Sequence, residues 1–398
     1  MPRRQQQGSV LLIVLVTIVF ATTALIAFME RADDDLIVPM RHAGANRMKA
    51  EAYAALETTL AVLVDFRVAN NNVLRSPAEG WDDPLNLEWV QYAPANPNRT
   101  VTVTFEDESA KMSLPTATAQ NLIDFFTFYG LPADEANLLK DSLLVWMQRN
   151  YTPTGSGAID PTTYQQEAIP FTPPGRPLRS WEELRSIDGV NEYFFDANGA
   201  PTPLGKRFTA AYSLYNFPSP NVNGGKPDTL AVLAKLDVSQ QQSVLDHLTG
   251  DSTGTGSVKN IGFFTQVGEV ATLANVVTTL TGLDVNIAAL RINVTVKEGL
   301  SVFTLSTVVT WPTNGATLTP APAPPAQATT AINANPAATV TTAPLQTPQL
   351  NYPYIILDLT ENDLDPAAPP TQAAEPDTET DPEAVPSPNT PFLSPNRT

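Results

Sequence analysis

Read as a string of apolar and polar positions, the chain divides into stretches of different rhythm. Residues 9–29 carry no charge, and residues 10–29 form an apolar run that is long enough, as a helix, to cross a hydrocarbon core of about 30 Å. Glu30-Arg31 and the cluster Asp33, Asp34 and Asp35 end that run. Beyond them, apolar and small residues recur at three- and four-residue steps through Met40, Ala43, Ala50, Ala54, Leu60, Leu63 and Val64, which predicts an amphipathic continuation of the same helix. Pro39 lacks a backbone donor and is expected to bend it. No heptad is sustained, so a coiled-coil stalk is not predicted.

From residue 81 the rhythm changes. Residues 86–92 and 100–105 alternate in the two-residue period of half-buried strands, and Pro94, Asn96, Pro97 and Asn98 between them predict a hairpin. Residues 113–248 return to helical spacing. Pro132 suits a first helical position ahead of the apolar face of Leu138, Leu139, Leu143, Leu144 and Met147. Ser180-Trp181-Glu182-Glu183 and Ser239-Gln240-Gln241-Gln242 have capping-box spacing, and Gly250 suits a helix end. Pro- and Gly-rich loops at 151–177 and 217–227 separate these helices, and 254–259 is a Gly/Ser/Thr loop. Alternation resumes at 290–296 and 301–309, with Lys297-Glu298-Gly299 as the turn. Residues 312–348 are rich in Ala, Pro and Thr, and 354–359 read as a last strand.

The fold class expected is α+β: a long N-terminal transmembrane and amphipathic helix on a small antiparallel sheet, a large inserted all-helical domain, and a disordered Pro-rich C-terminal tail. The expected organisation is a leader at 1–8, a transmembrane helix at 9–29, helix and first strands at 30–112 and the helical insertion at 113–250. The remaining strands follow at 251–311, a linker at 312–349, a final strand at 350–360 and the tail at 361–398.

Composition narrows the chemistry. The 398 residues include no cysteine, which excludes disulfides, a lipidated-cysteine anchor, Cys-ligated metal sites and a thiol nucleophile. Only His42 and His247 are available for imidazole chemistry. The net charge is -18 with a pI near 4.4, which disfavours nucleic acid as a partner. Residues 361–383 hold eight acids and no base among five prolines, a composition that buries too little apolar surface to offset its ordering entropy.

The order basic leader, glycine, hydrophobic helix resembles the class III signal of type IV pilins and pseudopilins. Arg3 and Arg4 set the orientation, with the N-terminus cytoplasmic. The resemblance implies that a prepilin peptidase cuts between Gly8 and Ser9 and methylates Ser9. Most pilins carry glutamate four residues after the new N-terminus, where this chain has Ile13. A carboxylate inside a membrane needs a partner such as the terminal amine of the subunit ahead, so its absence marks a tip position. Phe105-Glu106-Asp107-Glu108-Ser109-Ala110-Lys111-Met112-Ser113-Leu114, Ser180-Trp181-Glu182-Glu183-Leu184-Arg185-Ser186-Ile187-Asp188-Gly189-Val190 and Pro220-Asn221-Val222-Asn223 with Leu230-Ala231-Val232-Leu233 extend the likeness. Together they resemble the K-type minor pseudopilins of type II secretion over residues 3–310.

What this resemblance implies is a non-enzymatic tip subunit in the inner membrane, single-pass, with its bulk periplasmic. Its implied partners are the other minor pseudopilins, the major pseudopilin and the prepilin peptidase, with the outer-membrane secretin or secreted substrates as further candidates and no nucleic acid. Some members of the family bind calcium. Where they have an acid-rich Asp-Trp-x-Asp-x-Asp pattern, this chain has Val145-Trp146-Met147-Gln148-Arg149-Asn150, so calcium is left open and no metal ligand is assigned. Two rivals stand beside this reading: a minor pilin of a type IV pilus or DNA-uptake machine, and a signal-anchored periplasmic enzyme. The latter has candidate groups in Asp124, Asp141 and His247, but no nucleophile elbow, zinc helix or phosphate loop. Residues 184–190 also faintly resemble a helix-hairpin-helix, although Glu182, Glu183 and Asp188 crowd that turn with negative charge.

Overall fold

The computed structural model describes residues 7–155, 159–166, 169–250, 262–276, 280–318 and 353–362. Arg3, Arg4, the 254–259 loop, most of the 312–349 linker and all but the first two residues of the tail lie outside them. Helix α1, Gln7–Ala69, runs unbroken through Pro39. Its C-terminal part buries Met48, Ala52, Ala55, Leu56, Leu60 and Leu63, the single stripe expected of a helix lying on a sheet.

That sheet has four antiparallel strands in the order β1 (Arg99–Asp107), β4 (Ala289–Glu298), β5 (Ser301–Thr310), β6 (Ile355–Glu361). Strand β1 is Arg99–Asp107, and its partner is not residues 86–92. Those residues form turns and loop in which Leu87, Val90 and Tyr92 are half-buried while Trp89 is 62% exposed, so their alternation has no sheet face to match. Instead β1 pairs with a strand almost 200 residues later, Arg99 opposite Glu298 and Phe105 opposite Ile292. The two-residue ladder β2, Met112–Ser113, meets β3, Tyr212–Ser213, in parallel. This brings the two ends of the main helical stretch together, as an insertion between strands requires.

Within the insertion, α2 (Ala119–Phe128) and α3 (Ala133–Met147) pack on each other. Pro132 is the residue before α3 rather than its first helical position. Ser180 caps as expected by accepting from Glu182 N, but the helix it starts, Trp181–Ser186, is 3-10. Helices α4 (Asn191–Phe194) and α5 (Pro203–Ala211) complete an aromatic core of Phe125, Phe126, Phe194, Phe208 and Tyr212.

Helix α6 is Pro227–Val232 and α7 is Val238–Thr249. The capping box of α7 belongs to Asp237 and Gln240, not to Ser239, because Asp237 supplies the carboxylate that Gln240 N donates to. Gly250 ends α7 with a φ of 73°, a left-handed conformation that glycine adopts without penalty. Helix α8, Val267–Leu273, packs on α7 around Val244, Phe264 and Val270 as a small third core that periodicity did not reveal. Strands β4 (Ala289–Glu298) and β5 (Ser301–Thr310) follow, turned by Gly299 at a φ of 59°. Strand β6, Ile355–Glu361, closes the sheet with a bulge opposite Val308 and Val309.

Candidate assembly surface and its junctions

On α1 every side chain from Ile13 to Met29 is exposed, including Phe20 at 75% and Phe28 at 70%. The polar atoms in this stretch are already bonded within the helix. Thr17, Thr22 and Thr23 each donate to carbonyls three and four residues back, at 2.8 to 3.0 Å. A helix so arranged presents only hydrocarbon, and such a surface marks contact with lipid or with other helices. Among the described residues no helix is long and apolar enough to cross a membrane. Ile13 is 59% exposed on this stem, and Gly8 and Ser9 lie in the first turns of α1.

Where α1 enters the sheet, a buried charge cluster fixes it. Arg99 donates through Nε to Glu298 at 2.9 Å and through Nη1 to Glu51 on α1 at 3.2 Å. Glu51 also accepts from the Tyr92 hydroxyl and the Ala95 amide. Burial, with the Glu51 carboxylate beside it, pushes the Tyr92 hydroxyl up to about 12. On the other flank of α1, Glu361 of β6 accepts from Lys49 and Tyr53 at 2.7 Å each.

The sheet and the helical part meet at Asp107. Its carboxylate accepts from Ser109 N at 2.9 Å, from Ser109 Oγ at 2.6 Å and from Asn221 Nδ2 at 2.7 Å. Asn221 Nδ2 also donates to the Arg75 carbonyl, and Ser109 Oγ accepts from Ala288 N. One carboxylate thereby ties the segment after α1, the end of β1, the 220–224 turn and the approach to β4. Gly224 is required here, since a Cβ on it would stand 2.1 Å from that of Ala110. Around this knot Glu108 pairs with Arg291 at 2.6 Å, and Glu106 with Lys111 at 3.0 Å.

Burial pushes the Asp107 carboxyl up to about 7, against the hydrogen bonds from Ser109 and Asn221 that lower it. A carboxyl raised on folding contributes stability fully only below its unfolded range near 4, and loses it as pH rises through the folded value. Wild-type stability is therefore expected to fall by a few kcal/mol between about pH 4 and 7 through this group. Asp107→Asn should be weaker at low pH, because its amide nitrogen would face that of Asn221, yet should lack this slope. Melting midpoints taken across pH 4 to 8 decide the matter, and parallel curves would clear Asp107 of the effect.

The side chains weighed for catalysis are held apart. Asp124 pairs with Lys235, and His247 stacks on Phe264 at 4.6 Å above Gly262. Asp141 is fully buried, and although burial raises its carboxyl, bonds from Lys140, Tyr151 and Gly155 N hold it below the usual acid range. It serves to pin the loop after α3. Lys140, 2% exposed, places its ammonium against Asp141 and the Thr154 hydroxyl. Among the described residues no group of three or more His, Asp or Glu could hold a metal ion. Val145, Gln148 and Asn150 stand where the family pattern has its acids.

The 184–190 turn faces the protein. A Cβ on Gly189 would meet Ile159 at 2.7 Å and Ser142 Oγ at 2.9 Å, while its φ is 77°. The amides of Asp188, Gly189 and Val190 donate to Tyr164 Oη, Asp188 Oδ1 and the Ile187 carbonyl, so none is presented to a phosphate. Arg185 is committed to Glu182, to the Gly199 carbonyl and to the face of Phe195.

The stretch from 85 to 197, holding β1, β2 and α2 to α4, matches the family model of type II secretion system protein K. Among solved structures, the GspK–GspI–GspJ complex of the enterotoxigenic Escherichia coli type 2 secretion system is similar at 17% identity. That match covers 68% of this chain and 92% of the other, with a TM-score of 0.41. No curated protein matches the chain.

Inside the matched stretch, Trp146 donates from Nε1 to Glu183, which also accepts from Arg176 and from Arg179 N. These bonds join α3 to the 3-10 turn and explain both resembling motifs at once. Asn221 and Asn223 lie beyond that stretch, and Asn221 ties it to the segment after α1. Asn223 Nδ2 donates to the carbonyls of Phe264 and Val285, and its Oδ1 accepts from Phe264 N. Both asparagines were visible as part of a motif, but their partners lie from 40 to almost 150 residues away, beyond any local signal.

Proposed function

We propose that this chain is a non-enzymatic minor pseudopilin at the tip of a type II secretion pseudopilus. The observation that carries this reading is the continuity of one helix: an apolar stem with self-satisfied hydroxyls runs into an amphipathic part seated on a sheet, and that sheet leads into a protein K domain. In this reading the leader is cut between Gly8 and Ser9, the stem sits in the inner membrane, and Arg3 and Arg4 hold the N-terminus cytoplasmic. The partners are the other minor pseudopilins, in keeping with the GspK–GspI–GspJ complex. Ile13 removes the need for a subunit ahead. The helical insertion, too large to repeat along a crowded shaft, suits a cap that starts assembly.

The test is the N-terminus and intact mass of the protein from its native membrane. Wild type is expected to begin at methylated Ser9, and Gly8→Leu to retain Met1 to Gly8 in at least nine-tenths of the molecules. Equal processing of both would sink the class III assignment.

A further inference from the structure

The four-stranded sheet has two edges. On β1 the exposed side chains are Thr100, Thr102 and Thr104. On β6 they include Ile355 at 49%, Ile356 at 47% and Leu359 at 37%. Folded proteins blunt an apolar edge of this kind with lysine or proline, and Ile355–Glu361 holds neither. Its ladder is made with β5 alone. Asn362 N donates to the Thr304 carbonyl, so alternation turns Thr360 toward β5 and points the amides and carbonyls of Leu359 and Glu361 away from the sheet. No partner for these groups stands among the described residues. The strand that carries them is held firmly. Glu361 accepts from Lys49 and Tyr53, Thr307 Oγ1 donates to the Asp358 carbonyl at 2.9 Å, and Leu357 packs against Tyr215, Phe217 and Val308.

We propose that β6 takes up an extended segment of another protein, which joins the sheet as a further strand. A strand needs only about 4.8 Å of new sheet and bonds its amides and carbonyls to the edge, whereas a helix bonds its own internally. Charge and hydrophobicity define the segment. Asp358, the central residue of β6, is half-buried and has no ion pair among the described residues. A Lys or Arg opposite it satisfies that carboxylate, as cross-strand pairs of opposite charge do. Apolar residues at alternate positions then cover Leu359 and Ile356, which share one face of β6, opposite Thr307 and Val309.

Other occupants fit less well. An antiparallel second copy in full overlap sets Asp358 against its twin, and like charges directly opposite destabilise a strand pair. Residues 319–352 have two proline-free windows as long as β6, at 326–335 and 337–343, and each holds a single large apolar residue, Ile332 or Val340. Covering both Leu359 and Ile356 takes two. Residues 363–398 have no proline-free window longer than five residues, and a proline within a strand removes a ladder donor.

The probe is a fluorescent nonapeptide of alternating Val and Thr with a central Lys, titrated into the full chain in detergent and read by anisotropy. Saturable binding is expected. A fully N-methylated peptide, which keeps the side chains but has no donors, should bind at least tenfold more weakly. Leu359→Pro should have a similar effect, because it removes an outward amide and leaves the ladder to β5 intact. Glu in place of the peptide's Lys should weaken binding severalfold. Absence of saturable binding overturns the proposal, and so does binding that N-methylation changes by less than twofold, which is apolar adhesion. Binding that emerges only when residues 319–352 are replaced by a Gly/Ser linker gives the edge to the chain's own segment. A concentration-dependent dimer lost in Leu359→Pro gives it to a second copy, and either result overturns the proposal as well. The N-methylated peptide leaves the protein unchanged, so the test stands even if Leu359→Pro disturbs β6. Processing at Gly8 is untouched by any of these outcomes, so the pseudopilin reading is judged separately.

Discussion

Phe208→Ala is expected to destabilise the helical part by about 3 to 5 kcal/mol. Phe208 is fully buried at the centre of five rings. It stacks on Phe126 at 6.0 Å with an interplanar angle of 6°, and lies 4.9 Å from Phe194 and 4.7 Å from Tyr212. Phe125 and Trp181 approach it edge-on at 5.7 and 6.1 Å. These rings come from α2, α4, α5, β3 and the 3-10 turn, so no single element can move in to fill the space. The cavity term then adds to the lost transfer energy. The sheet has its own core, so the loss should appear as one of two calorimetric transitions moving down by about ten degrees while the other stays. Phe171→Ala, at a ring 38% exposed, should move neither by more than a degree or two. A Phe208→Ala shift as small as that control would mean the aromatic cluster is not the keystone of the helical part.

The elements read from periodicity were those whose partners do not matter to the pattern. In the C-terminal part of α1, in β4 and over most of β5 one face is buried, and burial writes a regular spacing into the residues themselves. Gly299 and Gly250 were legible for a related reason, since both occupy left-handed backbone at an element's end. Residues 86–92 show the limit of that logic. Their alternation is real, but a strand also needs a neighbour, and β1 takes β4 from almost 200 residues away. The cap of α7 was misplaced by two residues because Asp237 and Ser239 can both accept, and only Asp237 adopts the extended backbone with Gln240 three residues on. Asp107 and Asn221 were quoted within motifs as residue types. Their work at the junction follows from four segments converging in space, which no window of sequence contains.

The second large effect concerns how the stem is fixed to the head. Arg99→Met is expected to cost about 3 to 5 kcal/mol, because it leaves a buried carboxylate without its cation. Arg99 and Glu51 are 8% and 7% exposed, so neither is relieved by solvent. Glu51→Gln should cost less, since its carbonyl oxygen can still accept from the Tyr92 hydroxyl and the Ala95 amide. The double replacement Arg99→Met with Glu51→Leu should recover much of the loss by removing both charges together. A double-mutant cycle on melting free energies measures this, and additive losses would show that the pair is not coupled. The consequence reaches beyond stability. Glu51 stands near the point where α1 leaves the sheet for the exposed stem, and Arg99 bridges it to Glu298 at the β4–β5 turn. Breaking that bridge frees the stem to swing against the sheet. In an assembly whose subunits are held by their stems, the angle between stem and head decides whether neighbouring heads meet. On the proposed pseudopilin reading, Arg99→Met should therefore impair co-assembly with other minor pseudopilins at temperatures where the protein remains folded, and the double replacement should restore it only so far as it restores that angle.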